Sequence, residues 1–337
     1  MKNVVITMAL MGAASNAIAD PAGLRMTEIE MPHHDSQAAI SIWYPNGGGG
    51  DQMVVAENPV FHGVDAAIGA DVQAGIHPIV MFSHGMGGTT RAQAWLASGL
   101  ALRGAIVVAV NHPNSTWGDF DMSEGVKHWT RAADMSVALD ALLADPAFAG
   151  HVNASRVMAA GFSYGGWTAL SMGGMTGNHV GIVEACTANI DEMEACDMLL
   201  SEGVEMQGID PNVWDASYAD ARITHVTAID PGFVWGLNES NVAGLSPNVH
   251  MIGFGGFHDR MIATNFDESG LTDLLPAAKI TQFDPGFHFT AMPLCKPAAE
   301  TILMEENDDP VCTDPAGTDR AAVHSAIIDI IAGELGI

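Results

Sequence analysis

Three apolar runs constrain this chain more than anything else in it. Pro78 to Phe82, Ala105 to Val110 and Val157 to Ala160 contain no charged or polar side chain. A strand that shows one face to water alternates; an unbroken run belongs to a strand covered on both faces, as in a parallel sheet between helices. Helical periodicity follows each run, over Ala92 to Leu102, Thr130 to Leu143 and Tyr164 to Gly173. Three more strand candidates, Thr224 to Ile229, Val249 to Phe254 and Ala278 to Phe283, precede an amphipathic helix at Arg320 to Leu335. This alternation predicts an α/β fold with a mostly parallel central sheet flanked by helices. Before it, Leu24 to Met31 and Ala38 to Tyr44 read as an antiparallel hairpin, Gly47 to Gly50 as a loop, and residues 53 to 75 as irregular. Residues 174 to 221 interrupt the alternation and read as a lid-like insertion over the C-terminal edge of the sheet, within one domain spanning 20–337.

Residues 1–19 read as a secretory signal peptide. Lys2 supplies the positive start, Val4 to Ala14 a short uncharged apolar run, and Ala17-Ile18-Ala19 the small-residue cleavage site. The run is too short for a comfortable membrane span and no later stretch is long enough, so no transmembrane segment is expected. The expectation is an exported protein, periplasmic or extracellular. Its four cysteines suit an oxidising compartment. Cys186 with Cys196 and Cys295 with Cys312 each bracket a short loop-like segment, which predicts sequence-local disulfides; zinc spacing is lacking. With 40 Asp+Glu against 12 Lys+Arg, the net charge is −28. So few cations cannot neutralise phosphates, which argues against nucleic-acid or anionic-membrane partners.

The chemistry concentrates at Gly161-Phe162-Ser163-Tyr164-Gly165. This G-x-S-x-G lies between a buried strand and a helix, the context in which small residues permit a strained turn that pushes a serine Oγ out of the sheet edge. Ser83-His84-Gly85-Met86-Gly87-Gly88 follows an earlier buried strand. Acyl transfer needs two backbone N–H groups aimed at a developing oxyanion, and Met86 and Tyr164 are the candidates. His84 precedes the serine and reads as a structural loop residue, because the order expected in this fold is serine, acid, histidine. His179, His225, His250, His258, His288 and His324 all follow it. His288, just past the last strand in Asp284-Pro285-Gly286-Phe287-His288, occupies the position from which a base is delivered; His225 and His250 fall inside strands and His324 on the terminal helix. For the acid, Asp230 and Asp259 each end a strand, and either can reach the second imidazole nitrogen.

Met81-Phe82-Ser83-His84-Gly85-Met86-Gly87, Gly161-Phe162-Ser163-Tyr164-Gly165-Gly166 and Ala228-Ile229-Asp230-Pro231 resemble the platelet-activating-factor acetylhydrolases and their bacterial relatives termed predicted dienelactone hydrolases, within the α/β-hydrolase superfamily. The resemblance runs from about residue 76 to the end, outside 174–221. It implies a serine esterase acting on small-molecule or lipid esters with a short or modest acyl group. It favours Asp230, because the acetylhydrolases carry the acid after the sixth strand of their sheet; cutinase-like polyesterases carry it after the seventh, which matches Asp259. Dienelactone hydrolases proper use a cysteine nucleophile, so Ser163 separates this chain from their substrate.

The sequence therefore predicts an exported serine carboxylesterase with Ser163, His288 and Asp230 (Asp259 as the alternative acid), an oxyanion site at Met86 and Tyr164, and no cofactor or metal for the reaction. A polyester or cutinase-like hydrolase, a peptidase of the same fold and a silent binding protein on a hydrolase scaffold are the alternatives.

Overall fold

A computed structural model describes residues 20–189, 193–256 and 261–337, so the expected leader and Asp259 lie outside the described residues. The two longest buried runs become strands in which every residue is covered: β5 (His77–Ser83) and β6 (Ile106–Val110), numbered after the four strands of the same sheet that precede them in the chain. Those four are β1 (Gly23–Met31), β2 (Ser36–Tyr44), β3 (Asp51–Val55) and β4 (Val64–Ile68). Beyond β6 come β7 (Val152–Phe162), β8 (Ile223–Ile229), β9 (Val249–Phe254) and β10 (Lys279–Phe283). They form one sheet in the order β10-β9-β8-β7-β5-β6-β2-β1-β4-β3. From β10 to β6 every pair is parallel; β2 joins β6 antiparallel and opens the hairpin with β1. The expected architecture is present.

Alternate residues of the central strands feed two cores. Ile79, Met81, Ile106, Val108, Val157 and Ala159 meet helices α2 (His128–Ala144) and α3 (Tyr164–Met172), numbered after α1 (Ala94–Arg103). Val80, Phe82, Val107, Ala109, Met158 and Ala160 meet α1 and the terminal helix (Arg320–Leu335). This two-sided burial is why no polar residue interrupts the runs. The strand order reverses at β5 and β7: the chain leaves β5 toward β6, then crosses back through α2 to β7. Such a switch point opens a crevice at the C-terminal strand ends, and the loops after β5 and β7 both stand there.

Two expectations need correction. Residues 53–75 are not irregular, since β3 and β4 pair there and β4 adds to β1, extending the sheet. The edge strand β3 is almost wholly exposed and β4 buries only the adjacent Ala66 and Ala67, so neither carries an apolar period to read. The Gly47–Gly50 segment is also partly ordered, with Asn46–Gly48 pairing with Asp71–Val72. Within 174–221 the chain forms α4 (His179–Ala188), α5 (Glu194–Ser201) and a short helix at Pro211–Trp214.

Both predicted disulfides are present, Cys186–Cys196 and Cys295–Cys312. The first packs with Met193 and Ala263 beside Trp235 and Met261, fixing the inserted helices to the segment after β9. The second ties the chain beyond β10 to the segment that follows helix Ala299–Glu306, and Cys295 also bridges to Phe61. Among the described residues, no helix is long and apolar enough to cross a membrane.

The Cys295–Cys312 bridge closes a span of 17 residues. Opening a loop of that size costs about 3 kcal/mol through the unfolded chain. Urea unfolding of the Cys295→Ser, Cys312→Ser double variant should show a loss of that order; an unchanged midpoint would contradict it.

Candidate active site

The site begins with a backbone conformation. Ser163 has φ 58° and ψ −122°, a region that side-chain-bearing residues avoid. Surrounding contacts enforce it. Ser163 N–H donates to the Ile229 carbonyl (2.8 Å), and the Ser163 carbonyl accepts from Gly166 and Gly232. Flanking glycines let the turn close: a Cβ on Gly161 would stand 2.0 Å from the Gly165 carbonyl oxygen, and one on Gly165 would stand 1.9 Å from that of Ser83. Helix α3 thus starts directly against the end of β5, with backbone on backbone. Ser163 is left partly exposed at the sheet edge.

Three predicted residues come together there. Ser163 Oγ lies 3.1 Å from His288 Nε2, and His288 Nδ1 lies 2.6 Å from Asp230 Oδ2. His288 opens a short 3-10 turn, His288–Ala291, beyond β10, and its ring stacks obliquely on Phe162. Thr290 steadies that turn: its hydroxyl accepts from Phe287 N–H and donates to Asp314, which is paired with the buried Arg320. Asp230, at the end of β8, is buried and also has a positive φ of 44°. Its Oδ2 accepts a second hydrogen bond from Thr264 Oγ1 (2.7 Å). Strained backbone at two of three convergent polar residues is the kind of outlier that marks functional sites.

Met86 lies in the loop after β5 and Tyr164 is the first residue of α3. Neither backbone N–H donates to an acceptor among the described residues. The preceding Gly85 brings the Met86 loop onto Ser163, since a Cβ there would be 3.2 Å from Ser163 Cβ. The Met86 loop is laced to the ribbon Ser115–Phe120: Gly87 N–H donates to Ser115 and Trp117 N–H to Gly88. Trp117 at the ribbon tip is 80% exposed, and Phe120 comes close to Gly87.

The other candidate histidines have structural partners. His84 is buried between the Gly85 carbonyl and Thr116 Oγ1, and burial pushes its imidazole well below the usual range. His250 bridges Glu334 and Thr281, His179 bonds the Met206 carbonyl, His225 meets Thr224, and His324 bonds the Thr290 carbonyl while stacking on Trp95. His258, like Asp259, lies outside the described residues.

A buried polar cluster beneath the Met86 loop was not legible in the sequence. Arg131, on α2, donates to Ser83 Oγ, Ser115 Oγ, Thr168 Oγ1 and the His84 carbonyl, and its guanidinium lies 4.4 Å from the Tyr164 ring centre. Burial pulls it down to about 10, which leaves it charged at neutral pH. One turn on, Asp134 accepts from His112 Nδ1 (2.8 Å), whose Nε2 meets Ser83 Oγ (2.9 Å). Burial pushes the Asp134 carboxyl up, but the imidazoles of His112, His33 and His34 outweigh it and hold the group below the ordinary carboxylate range. Burial, with the nearby Arg131, lowers His112 to about 4. This second Ser-His-Asp line is sealed from solvent, so it holds the loop rather than meeting a substrate.

Comparison with solved structures places the fold. A ferulic acid esterase from Streptomyces cinnamoneus superposes with a TM-score of 0.58 at 18% identity, covering 96% of this chain and 91% of that one. A dienelactone hydrolase-like promiscuous phosphotriesterase from metagenomic libraries gives a TM-score of 0.53 at 15% identity, covering 94% and 99%. The α/β-hydrolase fold follows from these likenesses. No protein-family model matches the chain, and no curated protein matches it.

Gly165→Ala should cost about 3 kcal/mol or more, because backbone cannot yield as a flexible side chain does. Gly150→Ala, where a Cβ meets nothing within 4 Å, is the control and should be nearly neutral. Urea unfolding of both variants checks the contrast; equal midpoints would refute it.

Proposed function

We propose that the protein is an exported serine carboxylesterase, an acetylhydrolase-like enzyme of the α/β-hydrolase fold. The observation that carries this is the hydrogen-bonded line Ser163–His288–Asp230, set at a strained elbow on the switch point of the sheet. Ser163 Oγ attacks the ester carbonyl while His288 Nε2 takes its proton. Asp230, on Nδ1, keeps the imidazole in the tautomer that offers Nε2 as base, and stabilises the imidazolium that forms. The carbonyl oxygen becomes an oxyanion held by the Met86 and Tyr164 amides, near the positive end of α3. His288 returns the proton to the departing alcohol, leaving an acyl-enzyme. Water, deprotonated by His288, then releases the carboxylic acid and restores Ser163.

No step calls for a metal or cofactor. Trp117 and Phe120, on the ribbon that braces the Met86 loop, form an apolar wall for the organic part of a neutral ester. The helices of 174–221 form a second wall: α5 and the Cys186–Cys196 bridge pack on 261–264, whose Thr264 holds Asp230. The two disulfides support export, in line with the leader-like residues 1–19.

A fluorophosphonate probe should label the wild type and fail on Ser163→Ala. On p-nitrophenyl esters, Ser163→Ala and His288→Ala should each remove most turnover, with little further loss in the double variant. Asp230→Asn should lower kcat by up to ~10⁴, and Asp259→Asn should leave it near wild type. A crippled Asp259→Asn with an intact Asp230→Asn would transfer the acid to the later strand. Absence of labelling would leave a binding protein, and faster cleavage of peptide amides than of esters would make it a peptidase. An acyl-chain-length series on the same protein would define the substrate.

A further inference from the structure

Beside the opening hairpin the structure gathers a donor set that the ester chemistry does not use. His33 and His34 occupy the turn between β1 and β2, and Asp134 faces them from α2, a hundred residues away in the chain. One ligand atom from each of the three lies within 4.8 Å of the others. His33 Nε2 is 2.7 Å from Asp134 Oδ1, and His34 Nε2 is 3.1 Å from the same oxygen. The two are not equivalent. The His34 side chain is only 8% exposed, and its Nε2 has no hydrogen-bond partner among the described residues. The buried imidazole nitrogen therefore faces the buried carboxylate oxygen across a 3.1 Å ion-pair contact that does not complete a hydrogen bond.

We propose that His33 Nε2, His34 Nε2 and Asp134 Oδ1 form a structural site for a divalent first-row transition ion, zinc foremost, that clamps the β1–β2 turn to α2. The donor chemistry selects the ion: two imidazoles and one carboxylate suit zinc, whereas calcium and magnesium take oxygen ligands. Tetrahedral zinc with bonds of ~2.0–2.2 Å sets its donors roughly 3.3 Å apart. Against that spacing the Asp134 contacts would open by roughly 0.6 Å at His33 and about 0.2 Å at His34, the two imidazole nitrogens, within 4.8 Å of each other, would adjust to it as well, and the donors that move belong to a surface turn. His33, with its side chain 27% exposed, gives the ion a route in and leaves the fourth position to water. The outer shell is already built. The second oxygen of Asp134 is held by His112 Nδ1, which is fixed in turn through Ser83 to Arg131. The ion would supply positive charge to a sealed carboxylate whose other neighbours are imidazoles.

The test uses the full chain, stripped with EDTA and titrated with Zn²⁺ alone by competition against a chromophoric chelator. One equivalent should bind with a sub-micromolar Kd, and His33→Ala and His34→Ala should each weaken it at least ~100-fold. His62→Ala, at an exposed histidine elsewhere, should leave it unchanged. Zinc at a hundred times Kd should raise the wild-type Tm by about 5 °C and leave both turn variants unmoved. Should His34→Ala fail to fold, the more exposed His33→Ala carries the same comparison. Weak or absent binding, or binding that both turn variants retain, overturns the proposal. None of these readouts involves ester turnover, so the site and the proposed activity stand or fall separately.

Discussion

The contact between Gly165 and the carbonyl of Ser83 is the constraint from which the rest of the site follows. Because no side chain stands between them, α3 abuts the end of β5 directly. That contact holds Ser163 in its unfavourable conformation and sets the first amide of α3 beside the loop after β5, which carries Met86. It also brings Gly166 against Pro231, so the turn that bears Asp230 is placed by the same packing. The strain at Ser163 is stored locally and offset by hydrogen bonds to Ile229 at the end of β8 and to Gly232 in the turn after it.

A turn so tightly packed needs loops around it that do not drift, and the protein supplies this from below. Arg131 gathers Ser83, the His84 carbonyl, Ser115 and Thr168, which belong to β5, the following loop, the Ser115–Phe120 ribbon and α3. A single buried cation therefore ties together the elements that frame the Met86 and Tyr164 amides. Breaking such a group is costly because the partners left behind stay buried. On the opposite side, Arg320 does the same for the His288 turn, holding Asp314 and the carbonyls of Pro293 and Val311.

The legible part of this structure was the part written locally. Buried strands reveal themselves because covering both faces removes every polar residue, and the elbow because its glycines have no substitute. His288 follows from chain order and Asp230 from the family likeness, and the structure sets both beside Ser163. The edge strand β3 escaped because an exposed edge imposes no apolar period, and its neighbour β4 because its two buried positions are adjacent alanines. Arg131 and Asp134 escaped for the opposite reason. Spaced three apart on a helix, they look like an ordinary solvated pair, and only the tertiary fold turns that face inward. His33-His34 reads in sequence as a polar turn, and its partner lies far along the chain.

Two of the chain's scarce cations lie in the interior rather than on the surface. With 12 Lys+Arg against 40 Asp+Glu, every cation taken from the surface deepens the self-repulsion of the folded state. Yet Arg131 and Arg320 are buried, Arg131 bonded to the His84 carbonyl ahead of Met86 and Arg320 to the Pro293 carbonyl beyond the His288 turn. A lysine cannot replace them, because one planar guanidinium serves several acceptors at fixed angles while an ammonium acts as a point charge. The interior cations organise the site, and the surface is left strongly negative. An overall charge of −28 repels anionic partners of the folded protein more than neutral ones.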